Sequence, residues 1–235
     1  MANKPWEPTY EIIEPSAIRR AIGERTQASF RDVPQFSVSR QLHCGALIEA
    51  RLELKEAGAD PLPSYNDYLI KLTGLALKDL PALNSWWEDD VIKLLGPVNV
   101  GFACDTEEGI LMPTVFDADR RSLVEIAAET RSLVAAARAG KLRASLQKGA
   151  GFSLTNIGPT GADQFNGIIS PPQTAIVAIG ALAERPVVIA GELHVEPTLW
   201  LTITLDHRVH DGRHGAGFLA AMAERLADGE LLRRL

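Results

Sequence analysis

Within residues 201–219, LTITLDHRVHDGRHGAGFL, three histidines and two aspartates fall in nine consecutive positions, 206–214, directly after an apolar, alternating run. Imidazole is the side chain whose unperturbed titration lies nearest neutral pH, so this density points to a bound metal or to acid–base chemistry. The metal reading needs His207, Asp211 and His214, spaced i, i+4, i+7, on one face of a continuous helix. The sequence opposes that geometry. LWLTITL reads as a strand running into Asp206 and His207, and Gly212, Gly215 and Gly217 disfavour helix initiation before residue 212. No separate His, Cys or Glu pair stands out as a further ligand source. His210 and His214 read as solvated loop residues. His207 differs, because it follows a buried strand and has Asp211 four residues on. That arrangement suits an imidazole held in one tautomer and used as a base.

The elements around this turn alternate in type. Pro5, Pro8 and Pro15 make residues 1–14 an extended arm. Ser16 is a good N-cap for a helix carrying Ile18, Ala21, Ile22 and Arg25 at helical spacing, and VPQFSVSRQLHC then alternates like a strand. GALIEARLELKEAG is an amphipathic helix stopped by Gly58, and Ser64 with Asp67 predicts a capping box before another helix. Residues 91–119 read as β structure, with TEEG as a turn. The clearest helix places Leu123, Ile126, Ala127, Leu133, Val134 and Ala137 on one side and stops at Gly140. GFSLTNIG, TAIVAIGAL, RPVVIAGELHV and PTLWLTITLDH are four further strand candidates, followed by a helix to the C-terminus. Strands and helices interleaved in this way predict a single α/β domain.

Bulk properties narrow the function classes. In 235 residues, 46% are hydrophobic and 23% charged, the balance of an ordinary globular protein. A formal charge of −6 with no basic patch argues against a nucleic-acid binder, since phosphate neutralisation needs clustered Lys and Arg. Cys44 and Cys104 are too few for a disulfide framework, which fits a reducing cytoplasm, and no apolar run is long enough for a membrane span.

DHRVHDG resembles the HxxxDG signature of the dihydrolipoamide acyltransferases, the core subunits of 2-oxo acid dehydrogenase complexes, whose fold is shared with chloramphenicol acetyltransferase. FSLTNIG is similar to that family's FTISNLG-type strand, NGIISPPQTAIVAIG to its Pro-Pro-Gln segment, and GILMPTVFDADRRSLVEIAAE to the stretch ahead of its long helix. AIRRAIGERT and VPQFSVS add N-terminal matches, so the resemblance runs in order from Ser16 to Leu232. It implies a two-layer sandwich with helices packed on a mixed sheet, assembled as a homotrimer whose active sites lie between subunits. The implied reaction moves an acyl group between a dihydrolipoyl thiol and coenzyme A. His207 is the implied general base. Thr155, 52 residues before it, is the implied oxyanion donor, preferred over Ser153 on the same strand face. Asp211 is implied to anchor the active-site loop through an N-terminal arginine, Arg19, Arg20 or Arg25, with Asn156 a weaker positioning candidate. Gly158 and Gly161 read as turn glycines.

The sequence also departs from the family pattern. Family chains carry a lipoyl domain and a peripheral-subunit-binding domain, for which a 14-residue arm before a catalytic domain at 15–235 leaves no room, so the lipoyl group is expected on another domain or protein. His210 replaces a usual aliphatic residue and Leu205 a common aromatic one, and Arg233 and Arg234 stand where cage-forming members end in apolar contacts. Phe102, Leu111, Met112 and Phe165 are candidates for setting acyl size. Two alternatives stay open. One is a stand-alone biosynthetic acyltransferase using an acyl-coenzyme A or carrier-protein thioester; the other is a non-catalytic scaffold, against which the joint presence of His207, Asp211 and Thr155 argues. Partners expected of the leading reading are a lipoyl-bearing protein and other 2-oxo acid dehydrogenase components.

Overall fold

In the computed structural model, which describes residue 6 and residues 8–235, the Ser16 side chain accepts from the Arg19 N–H and opens helix α1 (Ala17–Asp32). Residues 8–16 are exposed and carry neither helix nor strand, while the rest of the expected arm, residues 1–5 and 7, lies outside the described residues. Strand β1 (Gln35–His43) and helices α2 (Gly45–Glu56) and α3 (Tyr65–Asp79) follow. Next come a hairpin of β2 (Ser85–Glu88) and β3 (Val91–Leu94), strand β4 (Val100–Phe102), and a second hairpin of β5 (Cys104–Thr106) and β6 (Gly109–Leu111) that turns at the expected TEEG. The chain continues through β7 (Thr114–Val115), α4 (Leu123–Arg138), β8 (Phe152–Asn156) and β9 (Ala175–Ile179). It closes with β10 (Ala183–Ile189), β11 (Glu192–Asp206), α5 (Gly212–Ala227) and α6 (Gly229–Arg234). Ser64 with Asp67, as anticipated, and Ser122 with Glu125 form reciprocal capping boxes, each satisfying two backbone donors that a helix start otherwise leaves open.

Seven strands make the main sheet in the order β1-β11-β9-β8-β4-β7, with β10 paired to the first half of β11. It is mixed: β4, β8 and β9 run parallel, whereas β1, β9 and β10 are antiparallel to β11 and β7 is antiparallel to β4. Period-two alternation gives the sheet two unlike faces. Leu201, Ile203 and Leu205 of β11, with Phe152 and Leu154 of β8, are buried in the core with Phe218, Leu219 and Met222 of α5. Phe152 and Phe218 meet with ring centroids 5.2 Å apart. The other face is rich in hydroxyls: Ser37 and Thr204 hydrogen-bond at 3.0 Å, Ser39 and Thr202 at 2.9 Å. At that spacing each cross-strand pair satisfies polar groups that burial would otherwise penalise.

Gly215 lets α5 sit close on this sheet. A Cβ there would lie 2.8 Å from Leu205 Cδ1 and 3.1 Å from Val38 Cγ2, so no larger residue fits without moving strand side chains. The glycines of the motif thus do not all oppose helix. They set its start at Gly212 and its approach to the sheet.

One expectation needs correcting. RPVVIAGELHV is not a single strand; it is the turn of a hairpin, with β10 and β11 meeting at Ala190 and Gly191, which have φ of 52° and 89°. β11 then runs unbroken for 15 residues through Pro197. The proline is tolerated because its carbonyl accepts from Cys44 N–H just past the end of β1, so its missing donor faces the side that β1 has left. Among the described residues no helix is long and apolar enough to cross a membrane.

Candidate active site

β11 delivers Asp206 to the sheet's end, and the chain turns tightly: the N–H groups of Val209 and His210 both donate to Asp206 O, at 3.0 and 2.9 Å. Asp206 is buried and fixes the turn a second time. Its carboxylate accepts from Arg208 N–H at 3.0 Å and from Arg208 Nη2 at 2.7 Å, and that guanidinium lies 4.8 Å above the Trp87 ring. His207 N–H donates to Pro34 O at 2.9 Å, and its ring lies against Phe36 with centroids 4.4 Å apart. The His207 imidazole is exposed and, among the described residues, has no hydrogen-bond partner, so both ring nitrogens are available to a substrate.

Asp211 is the N-cap of α5. Its side chain accepts from Arg213 N–H, while Asp211 N–H donates to His214 Nδ1 at 3.1 Å. Burial works against its charge, but Arg213, His214 and the helix N–H groups outweigh this and hold the carboxyl below its ordinary range. Within the protomer its arginine is Arg213, at 3.2 Å, rather than Arg19, Arg20 or Arg25. Arg20 is engaged with Glu14, at 3.1 Å. His207 and Asp211 therefore occupy a turn and a cap, not one helix face, and the i, i+4, i+7 geometry is not formed.

His210 is not a solvated loop residue. It is buried, with Nε2 at 2.8 Å from Thr174 Oγ1, and Thr174 in turn meets Ser85 Oγ at 2.8 Å. His214 is half-buried by its cap contact. Burial first, then the His214 charge, pulls the His210 imidazole down to about 4 despite Asp206 and Asp211 nearby. The sign follows from linkage: above pH 6.5 folded and unfolded imidazole are both neutral, and as pH falls towards 4 only the unfolded chain takes up the proton. Stability is therefore expected to decline through that window, by up to about 3 kcal/mol from this group. Urea midpoints at about pH 7 and about pH 4.5 check it, since His210→Leu should lose less than the parent on acidification and an equal loss would refute the assignment.

Thr155 lies on β8, half-buried, and among the described residues its hydroxyl has no partner. Ser153, two residues before, is buried with its hydroxyl given to Gln173 Oε1 at 2.6 Å. That leaves Thr155 as the free donor of the pair. Asn156 is structural: its amide donates to Asn66 Oδ1 at 2.7 Å and its oxygen accepts from Gly158 N–H at 2.7 Å. Gly161 is a turn glycine with φ 87°, but Gly158 is required for a different reason, because a Cβ there would stand 2.5 Å from Gly180 O.

The register does not bring His207 and Thr155 together in one protomer. Thr155 is opposite Ala178 on β9, and Ala178 is opposite Thr202 on β11, five residues before His207. With about 3.3 Å per residue and about 4.8 Å between strands, the two side chains stand roughly 15 to 20 Å apart. The acyl-size candidates are divided as well. Phe102 lines a recess of about 420 Å³ between α3 and α4, and Met112 one of about 270 Å³ beside Ser153, while Leu111 and Phe165 line neither. Both cysteines are buried, which pushes the Cys44 thiol up to about 12 and raises Cys104, so neither offers a thiolate. Arg233 and Arg234 are engaged within the protomer, Arg233 with Glu53 at 2.8 Å and Arg234 with the Glu230 carbonyl at 3.2 Å. The pattern of residue types gave no sign of the Asp206–Arg208–Trp87 stack or of Thr174 and Ser85, since these contacts join distant segments.

The chain shares the fold of chloramphenicol acetyltransferase, with which it superposes at a TM-score of 0.51 over 92% of its length and 99% of that chain, at 16% identity. Within that fold class the chain belongs to the 2-oxoacid dehydrogenases acyltransferase (catalytic domain) family, whose model matches residues 7–233. The acetyltransferase component of the Bacillus subtilis (strain 168) pyruvate dehydrogenase complex is 35% identical over 221 residues, covering 92% of this chain and 50% of that protein. The dihydrolipoamide acetyltransferase of Azotobacter vinelandii superposes with a TM-score of 0.91 at 25% identity, covering 98% of this chain and 99% of that one. The chain spans about half the length of the curated relatives it matches.

Proposed function

We propose that residues 15–235 form one acyltransferase catalytic domain that exchanges an acyl group between a dihydrolipoyl thiol and coenzyme A. The observation that carries this reading is an exposed imidazole, with no hydrogen-bond partner among the described residues, on a turn whose backbone is held at several points, in a chain matching the family along nearly its whole length. Thioester exchange needs a base to make the attacking thiolate and a donor for the carbonyl oxygen as it gains charge. His207 supplies the first and Thr155 the second. In the Azotobacter vinelandii enzyme a serine, a histidine 52 residues later and an asparagine four residues after that have been investigated for their role in the catalytic mechanism. Thr155 and Asp211 stand at those spacings from His207 here, with hydroxyl kept and amide exchanged for carboxylate. Asp211 acts on the loop, as the cap of α5, and takes no proton from His207.

Since one protomer keeps base and hydroxyl far apart, the working unit is a homotrimer in which each site takes His207 from one chain and Thr155 from its neighbour. The lipoyl group arrives on another domain or protein, and the remaining components of a 2-oxo acid dehydrogenase complex are the expected partners. Steady-state transfer from a panel of acyl-coenzyme A esters to dihydrolipoamide, with a solution mass, tests the reading. Turnover by a particle of three chains is expected. A monomer with full activity, or transfer only to an acceptor other than a dithiol, would overturn it.

A further inference from the structure

We propose that His210 is a positioning residue for the His207 turn, holding that turn to the sheet through Thr174 at the expense of stability; the proposal rests on the reading of His207 as the base. Thr174 sits just before β9, where its backbone oxygen accepts from Asp206 N–H at 2.9 Å. Its hydroxyl oxygen lies 2.8 Å from both Ser85 Oγ and His210 Nε2 and 3.2 Å from Ser85 O. His210 Nδ1 is buried with no hydrogen-bond partner among the described residues.

This arrangement is poor for stability. A buried polar atom without a partner is destabilising, whether donor or acceptor, and native proteins keep few of them. Ser85 and Thr174 remain paired with each other whatever occupies position 210, so an apolar side chain there would orphan nothing and would remove Nδ1. Packing does not call for an imidazole. What the imidazole adds is direction. The turn is held at its start by His207 N–H on Pro34 O and at its end by His210 Nε2 on Thr174 Oγ1, which pins both sides of His207 to the entries of β1 and β9. Asp206, Asp211 and His214 act on the ring electrostatically, and the His214 ring lies 5.4 Å from it between centroids. The ring remains neutral among them at working pH, so its influence on His207 is geometric and not one of charge. An aliphatic residue fills the volume without the tie, and small misplacements of a catalytic group cost rate steeply.

The test uses the assembled protein. His210→Leu should melt at or above the parent temperature near neutral pH, keep KM for acetyl-coenzyme A and for dihydrolipoamide, and lose roughly ten- to a hundredfold in kcat. His210→Gln, whose side-chain amide can donate to or accept from Thr174 Oγ1 at the Nε2 position, should recover most of that loss. Parental kcat in His210→Leu overturns the proposal. So does a lower melting temperature with unchanged kcat per titrated site, the signature of a purely structural residue. His207→Ala in the same series separates the two readings. If it retains activity, the base assignment falls and this proposal with it; if it is inactive while His210→Leu turns over normally, only the positioning role is lost.

Discussion

His207→Ala is expected to lower acyl transfer by roughly a hundred- to ten-thousandfold, the range for loss of a general base, with KM for both thiol substrates little changed. The asymmetry follows from the ring's surroundings. It is exposed, its protein contact is the Phe36 ring at 4.4 Å, and its backbone tie to Pro34 survives truncation. The fold gives up a partly solvated ring contact and nothing else, so particle mass and melting temperature should match the parent. Rates from acetyl-coenzyme A to dihydrolipoamide decide the matter, and near-normal turnover would remove His207 from the mechanism.

Thr155→Val, which keeps the branched shape but removes the donor, should cost about a hundred- to a thousandfold in kcat, while Thr155→Ser should retain most activity. The proposed intersubunit site predicts more. Co-expressed His207→Ala and Thr155→Val chains, each inactive alone, should recover roughly a quarter of parental activity, because a random mixture of two chains pairs an intact base with an intact neighbouring hydroxyl at one interface site in four. Sites built within one chain would recover none, so a silent mixture would refute the shared site.

These expectations depend on how much of the fold the residue pattern discloses. Two helix starts were readable because capping is local: Ser16 and Ser64 each sit three residues from the groups they engage. The hydroxyl face of the sheet and the free state of Thr155 were not, since they depend on which strands become neighbours. His210 was misread for the same reason. It is buried against Thr174, 36 residues away, which is in turn bonded to Ser85, further still, and no spacing rule anticipates such contacts. Likewise Pro197, an ordinary strand breaker in the sequence, is harmless because β1 ends beside it. The candidate site was legible in its residue types and in its resemblance to a family, not in its supports.

The 15-residue strand β11 carries an exposed apolar hairpin at one end, with Leu193 and Val195, and the histidine turn at the other. Length variation should therefore be unequally tolerated along it. Losing or gaining one residue between Thr198 and Asp206 would turn every later side chain to the opposite face and carry the turn off its anchors on Pro34 and Thr174. Among the described residues the hairpin end pairs with its own return strand alone, so matched two-residue additions there leave the remainder in place. Homologous chains should accordingly differ in size at 188–195 and stay fixed in length from 198 to 212.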